Sequence, residues 1–295
     1  MPFLGLGLHI GDTEGDAAVG IGGPIVDRVL LTENNLWINT EDGNKLGLED
    51  EVLWSPSDIS TEGWWDASDG STITTSGSEV TLVTDKSGNS YDLSTTTSYA
   101  SGPTIGTVSQ NGLNVFEFAP TIPSYQVLEN NSFAWNQSSS AIAFAMVFRC
   151  DDEAQTDQDF LISGTETLNP RIAARRSTSD NLQILTSSNS IQTSGGDVTE
   201  GQVYLVVLKF NSTNSFIRLD GTERATGNIG TPAFSSLNIG TNFNEDQTIE
   251  GFIGEVVAFS DLTKTEIIEG YLAHKWGIEG NLDSSHPYAL SAPTI

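Results

Sequence analysis

Cysteine is almost absent from this 295-residue sequence: Cys150 stands alone, so neither an intrachain disulfide nor a cysteine-built metal cage is available. Stability must come from packing or assembly. Basic residues are scarce too, with 12 Lys and Arg against 39 Asp and Glu and a formal charge of −27. Such a charge repels nucleic acid phosphates and anionic membranes at long range, which excludes nucleic acid as an expected partner. It also repels other copies of the chain, a repulsion that salt or bound cations relieve. Histidine is limited to His9, His274 and His286, and no nucleophile-elbow sequence accompanies them, so a hydrolase triad is not expected. No apolar run approaches the roughly 18 residues of a membrane-spanning helix, so membrane insertion is not expected. The apolar opening from Met1 to His9 is broken by glycine, and no Lys or Arg precedes Arg28, so it does not read as a secretion signal. Synthesis in a cytoplasm is the expectation.

What is present falls into two textures, residues 1–52 and 53–295. The first begins rich in glycine up to Gly22-Gly23-Pro24, with little to bury, and then repeats Thr32-Glu33-Asn34 as Thr40-Glu41-Asp42. Three short strands joined by tight turns fit this stretch. Its apolar residues Leu30, Leu31, Leu36, Trp37, Ile38, Leu46 and Leu48 are too many to leave wet and too few to fold alone. Packing on the rest of the same chain is one solution. Docking on a partner surface or self-association, with a homotrimer favoured, is the other.

From Leu53 onward, Ser, Thr, Gly and Asn separate short β-type runs, the texture of an antiparallel sandwich. Strands are predicted at Asn114–Phe118, Ala141–Arg149, Phe160–Ser163, Leu182–Thr186, Val203–Phe210, Phe216–Leu219, Leu237–Gly240 and Phe252–Phe259. Asp220-Gly221 is a hairpin signal, because both residues tolerate positive φ. One helix is predicted from Thr263, whose spacing to Glu266 suits a capping box, through Ile267, Ile268, Tyr271, Leu272 and Trp276 to a stop at Gly277. The fold class is therefore all-β: an antiparallel jelly-roll sandwich with one short C-terminal helix, preceded by a small β-rich module.

Several of these residues carry a family likeness. Trp64-Trp65-Asp66-Ala67-Ser68-Asp69 with Val83-Thr84-Asp85-Lys86-Ser87-Gly88-Asn89 resembles the opening of laminin G-like, concanavalin A-like jelly-roll domains. Leu237-Asn238-Ile239-Gly240 and Gly251-Phe252-Ile253-Gly254-Glu255-Val256 resemble their closing strands. The ending Glu269-Gly270-Tyr271-Leu272-Ala273-His274-Lys275-Trp276-Gly277, with Leu282 to Tyr288 behind it, is similar to a signature of tailed-phage structural proteins, and bacterial surface proteins use related endings. The resemblance implies a non-enzymatic structural protein of a virion, a capsid decoration protein or short head fibre bound to capsid or another virion protein. A glycan-binding adhesin or receptor-binding tail fibre, on a particle or a bacterial cell surface, is the alternative, with a glycosidase ranked last.

The same resemblance suggests sites. Laminin G-like domains often hold calcium at the rim of the sandwich, and Asp66, Asp69, Asp85 and Asn89 supply oxygen ligands there; a side-chain-capped turn is the competing reading. The acidic loop Asp151–Asp159 is a second rim candidate. Trp64, Trp65 and Trp135 are candidates for stacking on a cell-surface glycan, with only the outward member of the adjacent pair useful. Concanavalin-like glucanases carry closely spaced carboxylates on one strand. Here Glu250 and Glu255 are five apart, on opposite faces of a regular strand, so Glu255 reads as structural and no catalytic residue is assigned.

Overall fold

A computed structural model describes residues 38–39, 45–46, 52–95, 100–119, 125–136, 140–151, 159–164, 172–186, 189–231, 233–242, 244 and 247–295. The chain divides into two compact units, residues 1–52 with 294–295, and Leu53–Pro293. In the first, Ile38–Asn39 pairs antiparallel with Lys45–Leu46, placing Ile38 opposite Leu46. Leu30, Leu31, Leu36, Trp37 and Leu48 lie outside the described residues.

The second unit is the expected antiparallel sandwich. Its first sheet runs in the order Phe116–Phe118, Gly251–Phe259, Ile142–Cys150, Val203–Phe210, Ser215–Leu219, Thr222–Gly227, and Gly63–Asp66 pairs with the later half of Gly251–Phe259. The second runs Ser190–Gln192, Leu182–Thr186, Ile172–Arg176, Asp159–Gly164, Leu237–Ile239, Leu128–Asn130, Leu93–Ser94, Glu79–Val83, Ile73–Ser76.

The strand Ile142–Cys150 shows why some runs look continuously apolar. Ile142, Phe144, Met146 and Phe148 enter the core between the sheets, while Ala143, Ala145 and Val147 join a second apolar layer on the outer side of the first sheet. A strand buried on both faces loses its polar alternation. Between the sheets, Phe133, Phe144, Phe210 and Phe234 meet with ring centroids 5.2–6.1 Å apart, mostly edge to face. Each such pair adds about 0.5–1.5 kcal/mol beyond its burial.

The strand Ile172–Arg176 has no counterpart in the sequence reading, because two arginines end it. One of them, Arg176, is fully buried and donates to Asp159 at 2.6 Å. The helix spans Thr265–Lys275, preceded by a 3-10 turn at Leu262–Lys264. Asp261 caps the 3-10 turn by accepting from the Thr263 amide, whereas Lys264, at the N-cap of the α-helix itself, makes no side-chain cap and the expected Thr263–Glu266 box is not formed. The Thr263 hydroxyl donates to Asp261 at 2.6 Å, so it is held in that turn and does not cap the helix. The exit is as expected: Gly277 takes φ +67°, and Ile278 N–H reaches back to the Ala273 carbonyl at 2.9 Å, a Schellman arrangement.

Asp220 and Gly221 close the expected hairpin with φ of 49° and 74°. The Asp220 carboxylate accepts the Leu205 amide at 2.9 Å, yet burial pushes its pKa up to about 6. A carboxyl raised in the folded state stabilises fully below the unfolded pKa, near 3.8, and loses that contribution as pH rises through about 6. Asp220→Asn keeps the acceptor and the turn. It is expected to raise the melting temperature at pH 8, by at most about 3 kcal/mol of stability, and to change little at pH 4. Thermal unfolding at both pH values checks this, and an equal shift at both would contradict it.

Candidate functional site

The outer side of the first sheet is closed by the helix, and between them lies a buried ionic centre. Gly254 and Glu255 together occupy a β-bulge, since the partner strand shifts register between Val147 and Phe148. The bulge turns Glu255 toward the helix, and Gly254 lets the Trp276 ring lie against the strand, where an added Cβ would sit 3.0 Å from it. Glu255 is fully buried. Its Oε1 accepts from Trp64 Nε1 at 2.6 Å and from the Tyr271 hydroxyl at 3.1 Å. Its Oε2 accepts from Lys275 Nζ at 2.6 Å and from Trp276 Nε1 at 3.1 Å. Lys275 Nζ also meets Asp66 Oδ2 at 2.8 Å. Lys86 Nζ bridges Asp66 at 3.0 Å and Asp69 at 2.8 Å and lies 4.2 Å above the Trp64 ring.

Burial pushes the Glu255 carboxyl up, helped by the Asp66 charge and opposed by Lys275. Burial would also raise Asp66, but the Lys275 ammonium and hydrogen bonds from Lys275, Ser68 and Lys86 bring it below the usual range. Hydrogen bonds from Lys86 and Ser71 hold Asp69 at about 2. Burial, with the charges of Glu255 and Asp66 beside it, drives the Tyr271 hydroxyl up, so it serves as a donor.

Of the four residues read as calcium ligands, the three aspartates are engaged by internal donors and Asn89 is itself a donor. Asp66 and Asp69 face two ammonium groups, charges where a cation would have to sit. Asp85 accepts from the amides of Trp64, Ser87 and Tyr91 and from the Ser87 hydroxyl, which is the capped turn. Asn89 donates to the carbonyls of Thr61 and Glu62. Among the described residues no cluster of three or more acidic, His or Cys side chains is placed to hold a metal ion. Of the acidic loop, residues 152–158 lie outside the described residues, Asp151 pairs with Arg149, and Asp159 pairs with Arg176.

The tryptophans also need correction. Trp65 is in the inter-sheet core, and Trp64, the outward one, is 6 % exposed beneath the helix, so neither offers a face to a sugar. Strand alternation gives the side of the sheet, not whether that side is covered. Trp135 is half-buried against the core and donates to the Ser140 carbonyl at 3.2 Å. His274 is bonded to the Tyr288 carbonyl at 2.8 Å and His286 to Glu269 at 3.2 Å, so both fasten the C-terminal tail. Glu250 is exposed at the bend before the strand; the bulge, not simple alternation, decides where Glu255 points.

The outer face of the second sheet is different. Across four strands, Phe160, Arg175, Gln183 and Gln192 stand in register. Arg175 Nε and Nη2 donate to Gln183 Oε1 at 3.0 and 2.8 Å, and Gln183 Nε2 donates to Gln192 Oε1 at 3.1 Å. The Arg175 guanidinium lies 5.5 Å from the centre of the buried Phe160 ring. Beside this ladder, Arg175, Gln183, Leu185, Thr186, Asn189 and Ser190 line a shallow open depression of about 270 Å³. The sequence reading missed it, because scattered Arg, Gln and Asn carry no signal until strand pairing aligns them.

No protein-family model and no curated protein matches the chain. Solved structures do match. A Trypanosoma rangeli sialidase in complex with 2,3-difluorosialic acid aligns with a TM-score of 0.51 and 14 % identity, covering 73 % of this chain and 33 % of that one. The same sialidase in complex with the inhibitor DANA gives 0.50 and 12 %, covering 72 % and 33 %. A GH54 α-L-arabinofuranosidase gives 0.48 and 13 %, covering 65 % and 50 %. The chain spans about a third of the length of the sialidase chains it matches. The likenesses to the sialidase chains concern the fold alone. They overturn the expectation that the chain is not an enzyme: that exclusion is withdrawn, since chains sharing this fold belong to enzymes by name.

Excess chelator is expected to leave the melting temperature unchanged, because the Asp66 and Asp69 oxygens already hold lysines; a metal bound only by the folded state would add stability by mass action. A fall that calcium reverses and that Asp69→Asn abolishes would contradict this arrangement.

Proposed function

We propose that the sandwich is a glycan-recognition module of a displayed structural protein, carried on a tailed-virus particle as a decoration protein or short fibre. The observation that supports it is the Arg175–Gln183–Gln192 ladder beside the depression on the second sheet. Sugars are recognised by side chains that donate and accept hydrogen bonds to hydroxyls from a prearranged platform. Here the guanidinium and two amides already brace one another, so little rotamer freedom is lost on binding. The charge of −27 disfavours anionic glycans at long range, so the ligand is a neutral oligosaccharide. The placement on a particle draws on the likeness of the closing residues, and residues 1–52 take the docking and trimerising role.

Binding of neutral oligosaccharides by calorimetry, with light scattering for the oligomer, tests the proposal. Arg175→Ala is expected to weaken binding by about tenfold or more, since a hydrogen bond to a charged group is worth about 1.5–3 kcal/mol, and Gln183→Ala by about two- to tenfold, since a neutral one is worth about 0.5–1.5 kcal/mol. The full chain is expected to be a trimer and the chain lacking residues 1–52 a monomer. Absence of binding, or binding indifferent to both substitutions, would defeat the glycan reading; a monomeric full chain would defeat the trimer.

A further inference from the structure

We infer that Lys275 and Asp66 form an intramolecular isopeptide bond, with Glu255 as its acid–base catalyst. Three features of the ionic centre converge on this. The amine is 2.8 Å from an Asp66 carboxyl oxygen and 2.6 Å from Glu255, so nucleophile, electrophile and proton carrier are already in contact. The site is closed: Glu255 is fully buried, Asp66 is 4 % exposed and Lys275 17 %, beneath Trp64, Tyr271 and Trp276. Finally, the two oxygens of Asp66 are held differently. Oδ1 accepts from the Ser68 amide at 3.0 Å and the Ser68 hydroxyl at 2.6 Å, while Oδ2 faces the ammonium of Lys86 at 3.0 Å.

That asymmetry suits a condensation. Glu255 takes a proton from the Lys275 ammonium and gives it to Asp66 Oδ2, and the freed amine attacks Cγ of the now neutral carboxyl. The new negative charge develops on Oδ1, where the two Ser68 donors are aimed, as in an oxyanion hole. Glu255 then carries the second proton from the attacking nitrogen to the same oxygen. The Cγ–Oδ2 bond breaks, Oδ2 leaves as water, and an amide joins Nζ to Cγ. Glu255 is regenerated and no electrons are exchanged. The drive is the low polarity of the site: one buried ammonium and one buried carboxylate are replaced by a neutral amide, which removes their desolvation penalty. Lys86 keeps Asp69 as its partner at 2.8 Å. The bond would tie the first strand of the sandwich to its last helix.

Mass spectrometry of the full chain under denaturing conditions tests this. The expected mass is one water below that of the sequence. Trypsin is expected to release residues 46–86 joined to 265–295, uncleaved after Lys275, because a Lys in amide linkage is not a tryptic site. Lys275→Arg is expected to abolish the joined peptide, and Glu255→Gln to reduce it at least tenfold. Separate peptides 265–275 and 276–295 from the unaltered protein, with no joined species, would overturn the inference whether or not either variant folds. A joined peptide at full yield in Glu255→Gln would overturn the role given to Glu255.

Discussion

Glu255 is a carboxylate with no access to water, and the closed half of the sandwich is arranged around the need to satisfy it. Two indole N–H groups, a phenol and an ammonium converge on its two oxygens, drawn from the first strand and the helix. Removing one partner from such a buried centre typically costs about 3–5 kcal/mol, because the remaining groups stay buried and unmatched. The arrangement is therefore cooperative. The β-bulge at Gly254 aims the carboxylate, the bare glycine admits Trp276, and the Schellman stop at Gly277 ends the helix directly after Trp276. Around this centre Phe252, Val257, Ile268 and Leu272 form the second apolar layer.

Within the sandwich, the outer side of the first sheet is closed by the helix, while on the outer side of the second Gln192 is exposed and Arg175 and Gln183 are half-buried. On the closed face Trp64 is consumed by the fold, donating to Glu255, and Trp65 is consumed in the core between the sheets, donating to the Tyr91 carbonyl. On the open face, pairing of Ile172–Arg176 with Leu182–Thr186 sends Ala174 and Ile184 into the core and leaves Arg175 and Gln183 outside. Recognition is assigned there because polar groups are braced, aligned and accessible together.

The sandwich class was legible in the sequence because its strands are long, apolar and separated by turn residues, and Asp220-Gly221 and Gly277 read correctly because positive φ constrains residue choice locally. The ionic centre was legible only as a resemblance. Gly254-Glu255-Val256 and Tyr271–Gly277 stand out as a signature because they build the buried centre, so they do not mark the surface where a ligand binds. The rim aspartates were read as calcium ligands because nothing local reveals that Lys86 and Lys275, 20 and 209 residues from Asp66, would meet them. The exclusion of catalysis rested on one carboxylate spacing and on the want of a nucleophile-elbow sequence to go with the three histidines, which test two active-site designs among many.

The division of labour between the two faces is the claim on which the functional reading depends. Backbone amide shifts by NMR, followed while a neutral oligosaccharide is added, report on both faces at once. The expected result is a set of perturbations confined to Ile172–Arg176, Leu182–Thr186 and Ser190–Gln192, with the amides of Trp64, Glu255 and Trp276 unmoved. Perturbations centred on the helix and the first sheet, with the Arg175 ladder silent, would contradict it.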